Sequence, residues 1–303
     1  MNRIIKSVLW SFSMMLSIAA CQANPQPHLS HDPTWWSVPA GLSWMWQLQD
    51  YEHIKINPEI DVYDVDLFEA SEGGAQSLIR KLKSANKKVI CYFSAGTRED
   101  WRSDAGDFLE SAVIADGEMD DWPGEVWLNI ANRNALENNI QPIMAKRLDL
   151  AAASGCDGVE PDNVDAYANV DETHGLISPD DQLRYNRWLS QAAHQRGLAI
   201  GLKNDMQQLD TLVDDFDFAV NEQCYAYGIE CVNYEGTFLA KGKAVFNQEY
   251  HTDGQEGEID ESTFTSSACP YFQSVGISSL WKSGYALDGG GVTSCPEKPN
   301  HSP

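Results

Sequence analysis

Eight short apolar runs recur along the chain, at 43–48, 61–68, 88–94, 158–162, 198–203, 218–223, 244–249 and 277–281. Most are separated by stretches with helical spacing, clearest at 75–85, 136–153, 181–195 and 206–213. Ser154-Gly155 and Arg196-Gly197 supply clean helix stops. Strands that alternate with helices imply a parallel sheet, and eight repeats in about 265 residues favour a closed barrel over an open doubly wound sheet. The expected fold is α/β, a (β/α)8 TIM barrel forming a single domain over 39–303. No glycine-rich phosphate loop follows the first run, which argues against a dinucleotide site. The interval from Ser94 to about Asn132 is longer than a barrel turn needs and reads as a long loop excursion after strand 3. It carries Trp101, Trp122 and Trp127, either as a lid core or as flat rings for sugars, and 127–130 reads as a short extra strand.

The first 20 residues follow a different pattern. Arg3 and Lys6 precede an uncharged apolar run from Val8 to Ile18, and Ala19-Ala20-Cys21 follows. A basic start, a short hydrophobic middle and small residues before a cut point describe an export signal rather than a membrane span. The cysteine resembles the bacterial lipoprotein box, in which it is lipidated, so Cys21 is the expected membrane anchor. The alternative is an ordinary secretory signal with an incidental cysteine. Residues 21–38 are polar and proline-rich at their start, as a tether should be. The expected location is therefore exported: an outer-membrane lipoprotein, or the periplasm or cell surface.

Setting Cys21 aside leaves six cysteines in an oxidising compartment, with about 15 possible connectivities. Cys224 and Cys231 flank a short loop, Cys269 and Cys295 flank the last strand, and both pairs are expected to be bridged. Cys91 and Cys156 sit in or beside apolar strands, where a buried free thiol is the commoner outcome. The seven histidines show no metal-binding spacing, so no metal site or cofactor is expected. The formal charge of −24 becomes −26 when Arg3 and Lys6 leave with the leader. Such a chain repels nucleic acid. Its acidity serves solubility or draws in a polycationic substrate, and composition does not choose between them.

The candidate chemistry lies at strand ends, where a parallel barrel gathers its site. Asp157-Gly-Val-Glu-Pro-Asp-Asn-Val-Asp165 ends the fourth run with four carboxylates in nine residues, and Phe218-Ala-Val-Asn-Glu222 repeats the arrangement two strands on. Two acids on separate strands suit glycosidic cleavage, one donating a proton and one attacking or activating water. Alternation places Gly158, Glu160 and Asp162 on one face, with Lys203 from the next strand as a compensating cation. Asp162 is the expected nucleophile and Glu222 the general acid/base. The plainer reading makes Glu160 or Glu222 a salt-bridged structural acid. The strand ends supply Trp46, Gln47, Asp66, Tyr92, Glu160, Asn163, Lys203, Asn204, Asn221, Glu249 and Trp281 as candidate substrate-binding residues, with Glu160 also shaping the field of Asp162. Asp61 to Asp66 lacks the glycine and distal glutamate of a calcium loop and reads as a strand with alternating acids, and Asp288-Gly-Gly-Gly291 reads as a turn.

Six ordered segments, Trp44-Met-Trp-Gln-Leu48, Val65-Asp-Leu-Phe68, Cys91-Tyr-Phe-Ser-Ala-Gly96, Asp157-Gly-Val-Glu-Pro-Asp-Asn163, Gly201-Leu-Lys-Asn204 and Asn221-Glu-Gln-Cys224, together resemble the endo-α-1,4-polygalactosaminidases, glycoside hydrolase family 114. The resemblance runs from about Trp44 to Trp281. It implies a (β/α)8 barrel that cuts α-1,4-linked galactosamine polymers inside the chain without a cofactor, with Asp162 and Glu222 as the catalytic acids. The implied partner is a cationic amino-sugar polysaccharide, acted on by a monomer. A barrel that holds such a polysaccharide at the cell surface without cutting it is the competing expectation.

Overall fold

All eight apolar runs form strands. The computed structural model describes residues 34–228, 230–252 and 257–295, so the expected leader, Cys21 and most of the tether lie outside the described residues. In chain order the strands are β1 (Trp44–Gln47), β2 (Val62–Asp66), β3 (Lys88–Ser94), β4 (Thr97–Glu99), β5 (Val113–Glu118), β6 (Glu125–Leu128), β7 (Gly158–Asp162), β8 (Ala199–Lys203), β9 (Phe218–Glu222), β10 (Val245–His251), β11 (Ser278–Ser283) and β12 (Val292–Ser294). Nine of them form one sheet in the order β1-β2-β3-β7-β8-β9-β10-β11-β12. Pairing is parallel from β1 to β11, and β12 closes the series antiparallel to β11. The long interval after β3, expected as a loop, contains a small antiparallel sheet in the order β4-β6-β5, and the extra strand expected at 127–130 is β6.

Side chains alternate across the large sheet and make two cores. One face buries Trp44, Trp46, Val62, Ile90, Phe218, Val220, Phe246 and Leu280 among themselves. The other presents Val65, Phe93, Val159, Ile200, Leu202 and Val245 to the helices. The rings of Trp44 and Phe246 lie 5.0 Å apart, so the sheet curls far enough for its first and seventh parallel strands to meet across the inner face. That curl leaves little room: a Cβ on Gly201 would lie 2.4 Å from the buried ring of Phe218. Alanine there would displace the ring, at a cost of about 1–3 kcal/mol.

The helices follow from local signals. Pro179–His194 begins at Ser178, whose hydroxyl caps the Asp181 N–H while the Asp181 carboxylate accepts from the Ser178 N–H, and Pro179 takes the first turn. Its inner side buries Tyr185, Leu189 and Ala193. Gln141–Ser154 ends on Gly155 at φ +101°, a left-handed stop. A π-helical segment, Leu136–Ile140, leads into it, and another, Phe264–Ala268, leads into Cys269–Val275. Each ends two residues before a proline, Pro142 or Pro270, whose missing N–H removes one ordinary helical bond.

The end of the expected tether is packed. Trp35 stacks on His194 at 3.8 Å and donates from Nε1 to Asp217, Trp36 lies 5.0 Å from Lys88 Nζ, and Val38 is buried. The folded domain thus begins ahead of residue 39, because two tryptophans there have apolar surface to cover. Cys224–Cys231 and Cys269–Cys295 are disulfides as expected, but Cys91 and Cys156 are also joined rather than free. Cys91 sits on β3 and Cys156 just before β7, and these strands are neighbours, with Cys91 level with Val159. Their adjacency is hidden in the sequence by the 60-odd intervening residues that hold β4 to β6.

Candidate active site

The parallel strands bring a row of charged residues to one end of the sheet. Asp162, Lys203 and Glu222 are the last residues of β7, β8 and β9, and each follows the inward parity of its strand. Immediately after each, the backbone turns through a left-handed residue: Asn163 at φ +59°, Asn204 at φ +48° and Gln223 at φ +64°. Asparagine tolerates this region and glutamine pays more for it, strain of the kind that functional sites retain. The turn at Asn163 also explains Gly96, since a Cβ there would sit 1.7 Å from the Asn163 carbonyl oxygen.

A cavity of about 440 Å³ opens over these strand ends. At its floor Lys203 Nζ lies 2.9 Å from Asp162 Oδ1 and 3.0 Å from Glu222 Oε2, with Glu160 Oε1 at 3.9 Å below. Burial pulls the Lys203 amine down, but Asp162, Glu222 and Glu160 outweigh it and hold the amine well above its ordinary value. The lysine stays charged and is shared by both candidate catalytic acids. Each acid also has a tyrosine: Tyr92 donates to Asp162 Oδ2 at 3.1 Å and Tyr250 to Glu222 Oε1 at 2.7 Å. Burial first, then the adjacent carboxylate, pushes both phenols far up, so they remain proton donors. The Asp162 Oδ1 also accepts from the Asn163 N–H at 2.8 Å, and Asn204 Oδ1 accepts from the Glu222 N–H at 3.1 Å.

Glu160 lies beneath the cavity and is fully buried, as is Asp64. Burial, and then each other's charge in the case of Glu160, pushes both carboxyls up. The pair lies under Lys203, Glu160 farther from the amine at 3.9 Å than the two acids above it.

Trp46, Asp66, Tyr92, Asn163, Lys203 and Asn204 line the cavity together with Asp162 and Glu222. Four other candidates do not. Gln47 donates to the carbonyls of Gln49 and Asp288, Asn221 donates to Asn204 Oδ1, Glu249 accepts from the Tyr225 N–H, and Trp281 donates to the Ile259 carbonyl. Each occupies the outward parity of its strand and holds a loop in place. Tyr250 was not among the expected residues because β10 continues to His251, one inward position beyond the expected strand end. Trp101 and Trp122 line the cavity and stay half exposed, whereas Trp127 is buried and donates to Glu172 at 2.6 Å. Glu125, in β6, also lines the cavity and carried no sequence signal beyond being one acid among many. Among the described residues no group of three His, Cys, Asp or Glu side chains is arranged to hold a metal ion.

Comparison with known proteins bears on this geometry. The family model of glycoside hydrolase family GH114 matches residues 26–299. The crystal structure of Aspergillus fumigatus Ega3 in complex with galactosamine is similar over 86% of this chain and 97% of that one, with 35% identity and a TM-score of 0.72. The glycoside hydrolase domain of PelA from Pseudomonas aeruginosa covers 86% of this chain and is itself covered in full, at 15% identity and a TM-score of 0.57, a likeness of fold. No curated protein sequence matches the chain significantly. With the family matched over nearly the whole described domain and a structure similar at this level of identity, the chain belongs to glycoside hydrolase family GH114.

Proposed function

We propose that the protein is an endo-acting hydrolase of α-1,4-linked galactosamine-containing polysaccharide, working through Asp162 and Glu222 on a closed (β/α)8 barrel. The observation that carries this reading is the single buried lysine lying within 3.0 Å of both carboxylates. Contacts of that length to one nitrogen leave the two oxygens that share it no more than roughly 6 Å apart, a closeness that suits the roughly 5–5.5 Å between carboxyl groups in retaining enzymes. The spacing favours a retaining route. Glu222 protonates the departing glycosidic oxygen while Asp162 attacks the anomeric carbon, and the glycosyl ester is then hydrolysed by water that Glu222 deprotonates. Barrel closure is supported by the Trp44–Phe246 contact and by the Leu48 and Gln49 N–H groups, both donating to the Leu287 carbonyl beyond β11.

The galactosamine bound in the similar Ega3 structure supports the substrate class, as does the acidity of this chain. A non-catalytic binding barrel would have no use for two acids with one shared cation at a common floor. Export is supported by the leader-like first 20 residues and by three disulfides, and we place the anchor at Cys21. Incubation with α-1,4-galactosamine oligomers, followed by product sizing and NMR of the new reducing ends, tests the reading. Internal cuts releasing the α-anomer first are expected. Intact oligomer would reject hydrolysis, and the β-anomer first would reject the retaining route.

A further inference from the structure

Glu125 is 5% exposed, yet it lines the cavity. Its Oε2 accepts a hydrogen bond from Thr97 Oγ1 at 2.7 Å, and among the described residues no donor contacts its other oxygen. The neighbouring acids are compensated: Arg102 contacts Asp66 and Glu99, and Arg147 contacts Asp104 and Glu99. Among the described residues no basic side chain pairs with Glu125. A carboxylate held mostly out of water, with one oxygen open to the cavity and no cation beside it, is relieved by a cation that enters there. Burial pushes its carboxyl up to about 7, with Thr97 and Arg102 opposing and Glu99 and Asp162 reinforcing the rise.

The position suits an incoming amine. Thr97 contacts Ser94, Ser94 accepts from Asn163 Nδ2 at 2.9 Å, and the Asn163 N–H donates to Asp162, so a short polar chain joins Glu125 to the nucleophile's side of the cavity. Trp101 and Trp122 stand beside it, half exposed, with flat faces for a sugar ring and for the cation it carries.

We propose that Glu125, flanked by Trp101 and Trp122, is a specificity subsite that binds the free ammonium of a de-N-acetylated sugar on the Asp162 side of the scission point. The proposal deepens, and rests on, the reading of the cavity as an amino-sugar polysaccharide site. An acetamide carries no charge for the free oxygen and brings bulk to a site that is nearly sealed, so the subsite discriminates by electrostatics as well as by fit.

Binding, read separately from cleavage, decides it. Calorimetry on the silenced E222Q protein and on E222Q with E125Q, using fully de-N-acetylated and fully N-acetylated α-1,4-galactosamine oligomers, gives the affinity ratio for each. The glutamine keeps an acceptor for Thr97, and affinity for the acetylated oligomer reports on the integrity of the cavity. The expected result is a loss of about tenfold or more in preference for the de-N-acetylated oligomer. An unchanged ratio, including equal weakening of both oligomers, would overturn the proposal. Absence of cleavage by the wild-type enzyme would instead reject the hydrolase reading while leaving the binding ratio to judge Glu125.

Discussion

β7 and β9 are each bracketed by two acids, one just before the strand and one at its last residue, and the two have different fates. At the starts, Asp157 accepts from Lys83 at 2.5 Å, Lys88 at 2.9 Å and the Val89 N–H at 2.9 Å, while Asp217 accepts from Trp35 Nε1 at 2.9 Å, His194 Nε2 at 2.8 Å and the Ile200 N–H at 2.9 Å. Every donor around these two acids belongs to a neighbouring strand, helix or strap, so they staple the sheet. At the finishes, five residues on in each strand, Asp162 and Glu222 divide one lysine, hold one tyrosine each and open on a cavity. Proximity to a strand end therefore does not distinguish a catalytic acid from a structural one. What distinguishes them is that Asp162 and Glu222 share one cation and line the cavity, whereas Asp157 and Asp217 do neither.

Substitutions at the two ends should separate in the same way. E222Q removes the proton donor but keeps an acceptor for Tyr250, so kcat on galactosamine oligomers should fall about 10³-fold or more with little change in melting temperature. K203M should fall between the classes, with kcat lowered about 10²-fold and some loss of stability, because the methionine leaves two acids facing each other without a cation. Rate assays and thermal melts on the same preparations check both. Comparable activity in K203M and wild type would show that the lysine is merely structural.

D217N should lower stability by about 1–2 kcal/mol, read from urea melts, while kcat per folded molecule stays at the wild-type value. A fall in kcat would mean that the two ends of β9 are coupled. A last test concerns pH. Burial pushes Asp165 up to about 6 and Asp205 up to about 8 from an ordinary 3.8, with nearby acids adding to the rise. A group held higher in the folded state binds its proton more tightly there. Its stabilisation is complete below 3.8 and is lost as pH rises through the folded value. The melting temperature should therefore decline between about pH 5 and pH 9, and the strong negative charge pushes in the same direction. A rise over that window would contradict the burial of these acids.

Much of this arrangement was legible in the chain. The eight strands were visible because each is a short apolar run bounded by turn residues, and the parity of β7 was visible because Gly158 marks the crowded inner face, where its Cβ would lie 3.2 Å from the Ala199 carbonyl. Gly201 marks β8 in the same way, but in the other strands nothing marked parity, and neighbours of opposite parity at one strand end read alike. Gln47, Asn221, Glu249 and Trp281, which face outward next to inward Trp46, Glu222, Tyr250 and Lys282, were expected in the site for this reason. The Cys91–Cys156 bond and the subsite around Glu125 were hidden by a different cause. Both depend on how the segment after β3 folds back, and a non-local approach leaves no local pattern.

The most direct measurement sets D162N beside D157N: reducing ends released from de-N-acetylated α-1,4-galactosamine oligomers, with a thermal melt of each protein. D162N should melt with the wild type and release nothing above about 0.1% of the wild-type rate, whereas D157N should melt earlier and cleave normally while folded. A D162N protein that still cleaves at a tenth of the wild-type rate or more would contradict the assignment of the nucleophile and the two-acid account with it.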